Sequence, residues 1–65
     1  MSNEKKEAAQ NTEYHLRKAH QHLNDAERSS QGTGDKSLQQ QVTKIREAVV
    51  ETRKDLSKKM DNHQS

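Results

Sequence analysis

The chain has 65 residues, no cysteine and a formal net charge of +2, which leaves room for one small domain and excludes a disulfide framework. Leu, Ile, Val and Phe together account for eight of those 65 residues, about an eighth, below the ~20% at which disorder begins to compete with folding. So few apolar side chains do not offset the cost of ordering a lone pair of helices, so self-association or a partner is expected to supply the balance.

The first element expected is a helix over about residues 4–30, in a stretch rich in Ala, Glu, Gln, Lys, Arg and Leu, which lose little side-chain entropy in a helix. Proline is absent, and both glycines fall in Ser29-Ser30-Gln31-Gly32-Thr33-Gly34-Asp35, which divides the chain almost in half. A loop over 31–36 follows, with Gly32 suited to the left-handed position after a helix C-terminus. Ser37 and Gln40 have capping-box spacing, and Asp35 is a rival cap two residues earlier. The second helix is expected over about 37–61, with a frayed tail at 62–65, and the whole of 1–65 forms a single helical hairpin.

Spacing supports the same reading. Ala9, Thr12, Leu16, Ala19, Leu23 and Ala26 recur at alternating steps of three and four, and Leu38, Val42, Ile45, Val49, Thr52 and Leu56 repeat the rule in the second arm. Folded at Gly32–Gly34 with the arms antiparallel, the two seams pair in one register: Ala26 with Leu38, Leu23 with Val42, Ala19 with Ile45, Leu16 with Val49, Thr12 with Thr52 and Ala9 with Leu56. Three alanines then meet large side chains, and the two threonines form a polar layer that marks the register.

No motif in the chain carries chemistry. His15, His20 and His22 lie two, five and seven apart, whereas chelation from a helix wants ligands three or four apart, so no metal is expected. Gly32-Thr33-Gly34 lacks the preceding strand and the Gly-Lys-Ser/Thr ending of a phosphate loop. Two helices cannot enclose a pocket that holds a nucleophilic triad, so neither enzyme activity, a cofactor nor a small-molecule substrate is expected.

Charge placement bears on partners. Residues 1–35 carry five basic and six acidic groups, and residues 36–65 carry seven and four. The basic set Lys44, Arg46, Arg53, Lys54, Lys58 and Lys59 is interrupted by Glu47, Glu51 and Asp55, and Tyr14 is the one aromatic residue, so nucleic-acid binding by the second arm is the alternative rather than the main reading. The longest apolar run is Ala48-Val49-Val50 and the first seven residues hold no apolar segment, which points to a soluble, cytoplasmic protein with no membrane contact.

The two flanks of the seam differ. One brings Glu13, His20 and Glu27 toward Arg53, Arg46 and Gln39, with Glu13 placed to pair with Arg53, and is suited to water. The other carries Ala8, His15, His22 and Ser29 with Gln41, Ala48 and Asp55, nearly all small or uncharged. Ala8, His15, His22, Gln41 and Ala48 are therefore the candidate interaction residues. The expected protein is an all-α, antiparallel two-helix hairpin that dimerises to a four-helix bundle. It acts by stoichiometric contact with a protein partner or with its own copy. A partly disordered chain that folds on its partner is a further alternative.

Overall fold

The computed structural model describes residues 3–64, with side chains described to Asp61. It is all-helical: α1 spans Asn3–Gln31 and α2 spans Lys36–Gln64, each of 29 residues, packed side by side as a hairpin. At about 1.5 Å per residue such helices run about 43 Å, in keeping with overall extents of 48 × 15 × 11 Å. The tail expected at 62–65 lies outside the described side chains, and the backbone helix continues to Gln64.

The turn is held by backbone carbonyls together with the hydroxyls of Ser30 and Thr33. The Gly32 amide donates to the Ser29 carbonyl at 3.1 Å and the Thr33 amide to the Ser30 carbonyl at 3.1 Å, bonds three residues apart that tighten the last turn of α1. The Thr33 hydroxyl donates to the same Ser30 carbonyl at 2.6 Å and accepts from the Asp35 amide at 3.1 Å. Ser30 is buried, and its hydroxyl donates to the Glu27 carbonyl at 2.8 Å. Gly34, with φ 71°, takes the left-handed position, not Gly32. Three residues of tight turn follow Gln31 before the chain must reverse, so the left-handed step falls at the end of the connector.

The cap of α2 also differs from the Ser37 reading. Asp35 Oδ1 accepts from the Leu38 amide at 3.1 Å, and the Asp35 carbonyl accepts from Gln39 at 3.1 Å. Asp35 is thus the N-cap, with Lys36 as the first helical residue. Ser37 falls inside the first turn.

Among the described residues no apolar side chain is buried; the single buried residue is Ser30. The contact between the helices is half-buried and follows two columns on each. On α1 these are Ala9, Leu16 and Leu23, and Glu13, His20 and Glu27; on α2 they are Val42, Val49 and Leu56, and Gln39, Arg46 and Arg53. The expected seam shares the first column of each pair and departs in the second. Thr12, Thr52, Leu38 and Ile45 are exposed, the last two by 38% and 54%, while Ala19 and Ala26 are half-buried at the edge of the contact. Exchanging one column for its neighbour turns each helix by about 50° about its own axis.

Electrostatics and side-chain length account for the turn. The Glu13 carboxylate lies 3.5 Å from Arg53 Nη2, and the ion pair expected there forms. Arg46 Nε is bonded to Glu27 Oε1, and Thr43 donates to the same carboxylate at 3.4 Å. Arg53 Nη1 lies 3.0 Å from His20 Nδ1; a guanidinium only donates, so the ring nitrogen accepts. Long side chains of opposite sign lay their stems over the seam and join their heads across it. Thr12 and Thr52 do not bond to one another: their hydroxyls donate to Ala8 and Ala48 carbonyls of their own helices, at 2.7 and 2.8 Å. A threonine satisfied within its helix has no need of a polar partner across the seam.

Candidate interaction face

Rotation of the helices sorts the remaining surface into two unlike faces. With the contact centred on the columns named above, Thr12, Ala19 and Ala26 flank it on α1, and Leu38, Ile45 and Thr52 flank it on the same side of α2. Ala8, His15, His22 and Ser29 lie beyond the first set, and Gln41, Ala48 and Asp55 beyond the second, all exposed. All five candidate interaction residues therefore stand on one face, together with Leu38 and Ile45, which the sequence reading had placed inside the hairpin. Between residues 8–29 and 38–55 these four columns hold one carboxylate, Asp55, and no lysine or arginine; seven residues further toward the open end, Lys5 continues the Thr12 column and Lys59 the Leu38 column.

The opposite face is charged and grooved. Gln10, Glu13, His20, Val50, Arg53 and Met60 are among the residues lining a groove there, and Asn24, Glu27, Arg28 and Arg46 line a second. His20 in the first groove is engaged by Arg53 and Arg53 by Glu13, so its polar groups are committed to holding the helices together. Lys54 pairs with Glu51 at 3.8 Å along α2. Of the basic set on the second arm, Arg46 and Arg53 point into the hairpin contact and Lys54 meets an acid, which divides the set among three surroundings. Among the described residues no group of three His, Cys, Asp or Glu is placed to hold a metal ion, and no helix is long and apolar enough to cross a membrane.

One cluster on α1 escaped the sequence reading. Tyr14, 45% exposed, meets His15 edge to face at 5.3 Å between ring centres, and Arg17 and Lys18 approach its ring at 5.7 and 5.6 Å. The signal was present: Arg17 and Lys18 stand three and four residues after Tyr14, one turn along the same strip of helix. Comparison with family models, with curated proteins and with solved structures returns no match.

Proposed function

We propose that this protein is a non-enzymatic interaction module that works by stoichiometric contact through the neutral face of its hairpin, and that two hairpins meet there as a four-helix bundle. The observation that carries the reading is the exposure of Leu38 and Ile45 on a face that holds no lysine or arginine between residues 8–29 and 38–55, in a hairpin that buries no apolar side chain among the described residues. A helix in a four-helix bundle needs an apolar stripe wide enough for two neighbours. The hairpin contact occupies one apolar column of each helix and the charged column on one side of it. The column on the other side, Thr12, Ala19 and Ala26 with Leu38, Ile45 and Thr52, is left for the second pair.

The disposition of charge supports the same reading. Glu13, Glu27, Arg46 and Arg53 are drawn into the hairpin contact, so the column that would have carried charge to the neutral face is turned away from it. Partner binding through this face depends on area and fit, with little contribution from salt bridges.

Sedimentation equilibrium at micromolar concentration tests the proposal directly. A dimeric mass is expected for the native chain, and a monomeric mass for Ala48→Arg, which sets a long charged side chain on the face beside Ile45. Circular dichroism on the same samples is expected to show a helical native chain. A chain that is monomeric and unfolded alone would favour folding on a partner instead, and steeply salt-dependent binding to DNA by the monomer would favour the basic second arm.

A further inference from the structure

Resting on the dimer just proposed, we infer its topology: the two hairpins pair about an axis parallel to their length, with both turns at the same end and α2 of each copy lying on α1 of the other. Area is sufficient for such a pairing. A face of roughly 48 by 15 Å offers about 700 Å² per copy and about 1,400 Å² for two, within the ~1,200–2,000 Å² of stable interfaces. The chemistry of the face favours a second copy as occupant. A two-fold contact sets the same patch against itself, so a patch of one charge would repel its copy, and between residues 8–29 and 38–55 this face carries one carboxylate, with Lys5 and Lys59 at its open end.

Two face-to-face arrangements are open to hairpins with a two-fold axis in the interface. The axis lies along the helices or across them. Both set facing helices antiparallel, so the helix dipoles do not choose between them. Side-chain size does. The turn at Gly32–Asp35 joins two helices packed side by side, so the Thr12, Ala19 and Ala26 column of α1 runs alongside the Leu38, Ile45 and Thr52 column of α2. With the axis along the helices, the Leu38 and Ile45 column lies on the partner's Ala19 and Ala26 column, so large side chains meet small ones. With the axis across them, the Leu38 and Ile45 column meets its own copy while the Ala19 and Ala26 column meets its own copy. One side is then crowded and the other gaping, and both are penalised in a packed interior.

The outer columns agree. With the axis along the helices, the column of His15 and His22 borders the partner's column of Gln41 and Ala48, rings beside small or neutral side chains. The crosswise arrangement sets the column of His15 and His22 beside its own copy and the column of Gln41 and Ala48 beside its own, so rings crowd one strip while smaller side chains leave the other thin.

A spin label on Lys36→Cys, an exposed residue at the first turn of α2 and off the proposed face, reports the topology by the distance between the two labels of a dimer. Turns at the same end are expected to give a separation below roughly 30 Å, since packed helices lie ~8–10 Å apart and the remainder is label tether. Turns at opposite ends would give a distance near the 48 Å length of the hairpin and overturn the inference while leaving the dimer intact. A monomeric mass for the unlabelled chain would overturn the dimer itself. A second pair of variants removes dependence on the label. Oxidised mixtures of Ala19→Cys and Ile45→Cys chains are expected to form a disulfide-linked dimer between the two variants. A linked dimer formed by Ile45→Cys alone contradicts the topology.

Discussion

Asp35 accepts the Leu38 amide and so satisfies one of the donors that the start of α2 leaves free. Replacing it with alanine is expected to lower stability by about 1 kcal/mol in thermal or denaturant unfolding followed by circular dichroism, whereas Ser37→Ala should change it by less than about 0.5 kcal/mol. Equal effects from the two variants would return the cap to Ser37. Gly34, at φ 71°, occupies a conformation that costs a side chain roughly 1–2 kcal/mol. Gly34→Ala should destabilise accordingly, and no nearby atom stands within 4 Å of the added carbon to obscure the backbone effect. The same single-residue logic explains why Thr12 and Thr52 mark no register: a hydroxyl that bonds its own helix carries no information about the neighbouring one.

At the scale of the helix pair, the contact is a ladder of charged heads over a thin apolar column. The Glu27 and Arg46 side chains are 25% and 28% exposed, so solvent screens the pair only in part. A double-mutant cycle with Glu27→Ala and Arg46→Ala is expected to give a coupling of about 0.5–1 kcal/mol that shrinks in ~1 M salt. A coupling of zero would mean that the pair does not hold the rotation of the helices. Leu16 is half-buried in the shared column, and Leu16→Ala should cost roughly 1–2 kcal/mol, less than the ~2–5 kcal/mol of a fully packed site. Ile45, 54% exposed in the hairpin, distinguishes the two levels of structure: in a monomer its loss should matter little, and in a dimer it removes a central contact.

The molecule as a whole has the proportions of half a bundle. Its 48 × 15 × 11 Å extents enclose no buried apolar residue among those described, and in the dimer proposed above a hairpin so built would draw stability from association. The melting temperature of the native chain should therefore rise with protein concentration, because mass action favours the dimer over unfolded monomer. For Ile45→Ala the rise should weaken or vanish. A melting temperature independent of concentration across a hundredfold range would show that the hairpin stands alone.

Composition and periodicity were enough to read two helices, their antiparallel order and the connector between them. Helix-forming residues fill both arms, and the only glycines share one stretch. The column common to any packing, Leu16 and Leu23 with Val42, Val49 and Leu56, was legible for the same reason: a heptad pattern names its central strip without ambiguity. Which neighbouring strip joins it was not legible. Apolarity favoured Leu38 and Ile45, while pairing favoured Glu13, Glu27, Arg46 and Arg53, and periodicity fits both because the strips lie on either side of the same column. Only the packed helices decide, since an ion pair across the seam requires both partners to be in place before either gains from it, whereas Leu38 and Ile45 can be covered by a second hairpin. Likewise Gly34 rather than Gly32 takes the left-handed position, because the hydrogen bonds of Ser30 and Thr33 determine where the chain must turn.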